Sequence, residues 1–337
     1  VDKMSSGILS LFGPSKYEKM RALFTRMLDG AMSDAEIAAA LTQISEKGFD
    51  HEEILSGVDV LRERMTVFEG AEDAFDCCGT GGDRHGTVNI STAVTFVLAG
   101  GGVRVAKHGN RAVSSKSGSS DMLQALGVST DVPQEIMQKA LKSAGVCFLA
   151  APLYHPAMKR VAAARKQLGT RTIFNLLGPL ASPARVKRQL IGVYDKIHCR
   201  NFSEILKKLG STHALVVHGR DGMDEITTTT ATDAVELKNG GFQNVVFTPE
   251  KAGMLQVTLE DLKGGDAVTN AEKLKALLKG EKGPYRDIVV LNAAVAFAIA
   301  DKASGLEEGL AMARDSLDSG AANHALQRLI SITNGGA

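Results

Sequence analysis

FDCCGTGGDRHGTVNISTAVTFVLA, residues Phe75 to Ala99, decides how this chain is read. Phe75–Cys78 is a mostly apolar stretch of strand length, and residues 91–99 form an apolar segment that reads as a helix. Between them lie Gly79-Thr80-Gly81-Gly82-Asp83 and Asn89-Ile90-Ser91-Thr92. Glycines let a backbone approach a ligand closely, and consecutive N–H groups form anion-binding nests. Asn89, Ser91 and Thr92 add donors at a helix start, where the dipole also favours phosphate. The same residues equally read as a tight turn followed by ordinary N-caps. Two familiar phosphate motifs are excluded: the dinucleotide fingerprint would need glycine where Arg84 stands, and a Walker loop needs a Gly-Lys pair that the chain lacks.

Working outward, the strand–helix alternation repeats downstream. Strands are predicted at Phe75–Cys78, Val103–Ala106, Val146–Leu149, Leu190–Val193, Ala214–Val217 and Val245–Phe247. Helices are predicted near 91–99, 120–126, 133–144, 156–168, 202–209, 271–279, 287–302 and 306–317. This pattern predicts an α/β domain over 73–337 with a mostly parallel central sheet flanked by helices. Such sheets bind ligands beyond the carboxyl ends of their strands. Upstream, residues 1–72 read as helices only. Ser15 with Glu18 and Ser33 with Glu36 fit the capping box. Behind them Met20, Leu23 and Met27, then Ile37, Leu41 and Ile44, then Ile54, Val58, Leu61 and Met65 recur at helical spacing. A small N-terminal helical domain is therefore expected. Arg171–Pro183 breaks the alternation with Gly178-Pro179 and Ser182-Pro183, and a return to the helical domain is expected near 171–188.

Two further segments carry chemistry. Lys107-His108-Gly109-Asn110-Arg111 and the residues that follow it to Asp121 form a long connection without apolar periodicity. Long loops of this kind are functional or simply solvated, and its cations, hydroxyls and glycines suit phosphate. Asp224-Glu225 follows a predicted strand. Adjacent carboxylates at a strand's carboxyl end suit Mg2+, which shares its shell with substrate phosphates, although the pair alone also reads as a solvated surface. With the two phosphate-type loops it points to a magnesium-assisted reaction of a diphosphate-bearing substrate. Arg165, near the end of a predicted helix, could bind a carboxylate bidentately or be solvated. No Gly-x-Ser-x-Gly elbow, metalloprotease motif or zinc spacing is present.

Composition narrows the class. The 337 residues suggest about two domains and a substantial core. A net charge of +1 gives no support for a nucleic-acid or polybasic membrane surface. Four cysteines without a C-x-x-C pair and no leader pattern predict a reduced, cytoplasmic protein, and the apolar run Ile288–Ala300, interrupted by Asn292, is too short to span a bilayer. Glycine, at 35 residues, is the outlier, about one in ten against a usual ~7%.

The segments Gly79–Asp83, Asn89–Thr92, Lys107–Arg111, Ser117–Ser119, Arg171–Leu180 and Asp224–Thr227 together resemble the anthranilate phosphoribosyltransferase family over nearly the whole chain. Small departures are Ser120, where the family often has alanine, and Met223, where leucine is usual. The resemblance implies a homodimer joined through the helical domain, and transfer of the 5-phosphoribosyl group from 5-phosphoribosyl 1-diphosphate to the amine of anthranilate. It implies that Gly79, Gly82, Asp83, Thr87, Asn89, Ile90, Ser91, Thr92, Lys107, Ser115 and Ser119 hold the phosphoribosyl diphosphate. It implies two Mg2+ ions on Ser91, Asp224 and Glu225, and anthranilate guided by Gly79, His108, Asn110 and Arg165. No general base is assigned. Two rivals remain on this reading: a pyrimidine nucleoside phosphorylase, disfavoured by the Lys107–Arg111 loop and Asp224-Glu225, and a nucleic-acid-binding homologue, disfavoured by the near-neutral charge.

Overall fold

The computed structural model describes residues 13–83, 85–111 and 117–336. The chain falls into two units, one of residues up to 66 with His155–Ala181, the other Val67–Tyr154 with residues from Ser182 on.

The first unit is helical. Its helices Lys16–Leu28, Asp34–Glu46 and His51–Glu63 each begin with a reciprocal capping box, Ser15/Glu18, Ser33/Glu36 and Asp50/Glu53. Such boxes satisfy N–H groups that a helix start leaves orphaned. Phe24, Met27, Ile37, Leu41, Ile54 and Val58 are the buried stripes. The chain returns to this unit from His155 to Ala181, because helix Lys159–Leu168 packs on Asp34–Glu46 and the short helix Phe174–Leu177 packs on His51–Glu63. A Cβ at Gly57 would lie 3.0 Å from Leu177, so the missing side chain lets that short helix seat closely. The predicted helix 156–168 is a 3-10 turn, Pro156–Met158, followed by Lys159–Leu168.

The second unit is built on a seven-stranded sheet: β1 Phe75–Gly79, β2 Val105–Gly109, β3 Val146–Ala150, β4 Arg188–Gly192, β5 His213–Gly219, β6 Thr232–Lys238 and β7 Gly241–Phe247. The order is β3-β2-β1-β4-β5-β6-β7. β3 through β5 are parallel, and β6 and β7 extend the sheet antiparallel. A mostly parallel sheet in a larger α/β domain beside a small helical one is the predicted class. β6 was not predicted, and neither was the helix Ala321–Thr333. Strands β1 to β3 are nearly all buried, but only β3 is a continuous apolar run: β1 carries Asp76, and β2 runs to Gly109, so Lys107, His108 and Gly109 lie on the strand rather than in the loop expected after Ala106. The chain runs outward from β1 to β2 and β3 on one side, then resumes at β4 on the other. The switch point therefore lies between β1 and β4, whose carboxyl ends, Gly79 and Gly192, are in register.

Candidate functional site

The loop after β5 crosses this switch point. A Cβ at Gly79 would lie 2.3 Å from an Asp224 carboxylate oxygen, and one at Gly192 would lie 1.5 Å from the Asp224 carbonyl oxygen. Only glycine at both strand ends admits the loop. The Gly81 N–H donates to Asp224 Oδ2 at 2.7 Å, and the Ser91 N–H donates to Glu225 Oε1 at 3.1 Å. The glycine loop after β1, the start of helix Ile90–Gly100 and Asp224-Glu225 are thus joined although far apart in sequence. Gly81 and Gly82 hold φ of +64° and +79°, left-handed values that L side chains rarely adopt.

Charge at this point is unbalanced. Burial, then the adjacent Asp83 carboxylate, pushes Asp224 up to about 7. Burial, then Asp224, pushes Glu225 up to about 8. Like charges held this close disfavour ionisation unless a cation joins them. Among the described residues no three or more His, Cys, Asp or Glu are arranged to hold a metal by themselves. A hard cation on Asp224 and Glu225, with the Ser91 hydroxyl nearby, would thus complete its shell with ligand or water oxygens, the habit of Mg2+. The donor set fits that ion.

Lys107 lies under the loop. Lys107 is 3% exposed, and its ammonium donates to the Cys77 carbonyl at 2.6 Å and to Ser91 Oγ at 3.3 Å. Beside it, burial raises Asp76 to about 6 while Lys107 acts in the opposite direction. Asp76 also accepts the His108 N–H at 3.2 Å, and the His108 side chain is buried.

The other predicted residues take definite places. Asn89 Oδ1 accepts from Asn270 Nδ2 at 2.9 Å, and its carbonyl accepts from the Tyr285 hydroxyl at 3.2 Å. The Asn110 carbonyl accepts from Ser119 Oγ at 3.2 Å, placing Ser119 at the mouth of β2. Thr87 bridges Lys263. Ile90 and Thr92 are 2% and 1% exposed, so both lie buried at the start of their helix. Ser115 lies outside the described residues. Arg165 belongs to the helical unit, its guanidinium 5.7 Å from the Phe174 ring centroid, and burial lowers its pKa.

Asn270, Tyr285 and Asn292 were not singled out as site residues. For Asn292 a signal existed: an amide inside the apolar run Ile288–Ala300 needs buried partners.

Comparison with known proteins follows the same division. Residues 71–323 match the glycosyl transferase family a/b domain, and residues 14–65 match its helical bundle domain. The chain is 45% identical over 328 residues to an anthranilate phosphoribosyltransferase of Bradyrhizobium sp. (strain ORS 278), covering 97% of each. A second such protein, from Rhodopseudomonas palustris (strain BisB5), is 46% identical over 95% of this chain and 94% of its own. Among solved structures, anthranilate phosphoribosyltransferase from Thermus thermophilus superposes with a TM-score of 0.88 at 39% identity, covering 95% of this chain and 96% of that one. The Saccharomyces cerevisiae enzyme in complex with PRPP and Mg superposes at 0.85 with 25% identity, covering 94% of this chain and 92% of its own.

Proposed function

The chain belongs to the anthranilate phosphoribosyltransferase family, and on that premise we propose that it joins anthranilate to the 5-phosphoribosyl group of 5-phosphoribosyl 1-diphosphate, giving N-(5-phosphoribosyl)anthranilate and diphosphate. The observation that carries this reading is the meeting of Asp224-Glu225 with the Gly79–Asp83 loop and the start of helix Ile90–Gly100. These groups lie at the carboxyl ends of β1 and β4, where α/β sheets take phosphorylated ligands.

The reaction breaks the bond from the anomeric carbon to diphosphate and forms one to the aromatic nitrogen, whose extra proton then departs. The amine is already nucleophilic, so no base is required of the protein. Stabilising the leaving group and positioning the two substrates supply the acceleration, through a dissociative, oxocarbenium-like displacement. Gly79, Gly82, Asp83, Thr87, Asn89, Ile90, Ser91, Thr92, Lys107, Ser115 and Ser119 hold the phosphoribosyl diphosphate on this reading. Lys107 contributes a fixed positive charge beneath Ser91. Two Mg2+ ions, held by Ser91, Asp224 and Glu225 when bound, supply neutralisation of the diphosphate charge. Gly79, His108 and Asn110 guide anthranilate, and Arg165 faces its carboxylate with a planar two-point donor.

The enzyme is read as a cytoplasmic homodimer paired through its helical domain; the four cysteines are buried free thiols, in keeping with a reducing compartment. Among the described residues no helix is long and apolar enough to cross a membrane.

The test follows anthranilate fluorescence with both phosphoribosyl diphosphate and Mg2+, and with each omitted. Consumption only in the complete mixture is expected, and consumption that persists without either contradicts the reading. Light scattering at micromolar concentration tests the dimer.

A further inference from the structure

We propose that Asn292 is a positioning residue that sets the Asp224-Glu225 pair by clamping the peptide unit next to it; this deepens the magnesium reading above and rests on it. Asn292 is fully buried in helix Pro284–Ile299, among Ile288, Leu291 and Val295. Its Oδ1 accepts the Ile226 N–H at 3.0 Å, and its Nδ2 donates to the Ile226 carbonyl at 2.8 Å. The second Nδ2 proton goes to the Ile288 carbonyl, also at 2.8 Å. One side chain thus pairs both backbone groups of a single residue, as a neighbouring strand would.

The position of that residue gives the clamp its meaning. Ile226 follows Glu225 directly, and its own side chain is 0% exposed. Before the pair, the Asp221 Oδ1 accepts the Met223 N–H at 2.9 Å, and across the pair its Oδ2 accepts the Thr227 hydroxyl at 2.7 Å. The Gly219 N–H closes the turn onto the Met223 carbonyl at 2.8 Å. Asp224 and Glu225 are therefore fixed from both flanks, one flank local and one from a helix far along the chain. A buried amide in the otherwise apolar stretch Ile288–Ile299 costs stability unless every polar atom is paired. Here the pairing is spent on the loop that carries the two carboxylates. Two carboxylates pushed together without a cation repel each other, so a rigid frame is what keeps them in place before an ion arrives.

The experiment compares Asn292→Ala with Leu291→Ala, a neighbouring core truncation that leaves the Ile226 clamp intact. Mn2+ binding in the presence of diphosphate is read by electron paramagnetic resonance, beside anthranilate kinetics. Asn292→Ala is expected to raise the Mn2+ dissociation constant about tenfold, in the range seen when groups orienting metal ligands are removed. It should lower kcat with little change in the KM for anthranilate, and Leu291→Ala should leave Mn2+ binding as in the parent. Mn2+ binding by Asn292→Ala equal to the parent, or an equal loss in Leu291→Ala, overturns the clamp. If Asn292→Ala does not fold, the parent protein still decides: its Ile226 amide should exchange with solvent as slowly as the core strands. Fast exchange there overturns the proposal. A parent protein that binds no Mn2+ with diphosphate overturns the magnesium reading instead, so the two failures are distinct.

Discussion

Gly192→Ala is the sharpest single perturbation this structure offers. The added methyl carbon would lie 1.5 Å from the Asp224 carbonyl oxygen and 2.3 Å from the carbonyl carbon, both backbone atoms that no rotamer change can move aside. Contacts below 3.0 Å are essentially never made by real Cβ atoms, so the loop must retreat by about 1.5 Å. A retreat of that size would stretch the 2.7 Å bond from the Gly81 N–H to Asp224 Oδ2 to roughly 4 Å, beyond hydrogen-bond range. Misplacement of about 1 Å in a positioned group commonly costs about a hundredfold in rate, and overpacking itself costs about 1–3 kcal/mol of stability. Gly192→Ala should therefore fold with reduced stability and lose about a hundredfold in kcat/KM, read by anthranilate fluorescence and urea unfolding. Gly241→Ala is the matched control, because its Cβ would meet nothing closer than the Lys238 carbonyl at 3.5 Å, an ordinary contact. Gly192→Ala activity within about threefold of the parent would show that the strand end does not set the loop.

Two further outcomes follow from the buried charges. Glu225 has a native pKa of about 8 against an ordinary 4.5. Its contribution to stability is then full below the unfolded value and is lost as pH rises through about 8. Glu225→Gln should therefore raise the unfolding temperature of the metal-free protein at pH 9 and leave it unchanged at pH 4; an equal shift at both pH values contradicts this. Lys107→Met should cost about 3–5 kcal/mol in urea unfolding, because it leaves the buried Asp76 carboxylate uncompensated. Asp76→Asn combined with Lys107→Met should recover more than half of that loss, whereas additive losses would separate the two residues.

Much of the architecture was legible because burial on both faces leaves a visible mark. β3 is an apolar run, and the capping boxes at Ser15 and Ser33 announce helices by local chemistry alone. β6 escaped because Thr232–Lys238 mixes buried Ala234, Val235 and Leu237 with Asp233 and Glu236, so no apolar run marks it. Helix Ala321–Thr333 escaped because it starts after a left-handed Gly320 with no side-chain cap. At the candidate site, residue types were readable but their meeting was not. Nothing local links Gly81 to Asp224 or Ser91 to Glu225; the parallel sheet brings them together by placing β1 beside β4. The supports at Asn270 and Asn292 are amides whose partners are backbone groups or another amide, which leave no spacing pattern in a sequence.

The helical unit is made from two stretches of chain, and this orders events during synthesis. Residues up to 66 leave the ribosome before His155–Ala181, and their unit lacks that stretch until β1, β2 and β3 have all been made. Until then Ile37, Leu41 and their neighbours wait without helix Lys159–Leu168, and closing that gap costs the entropy of a long loop. Chains halted before His155 would carry a sticky, incomplete bundle. The helical unit is completed only after the first strands of the sheet exist.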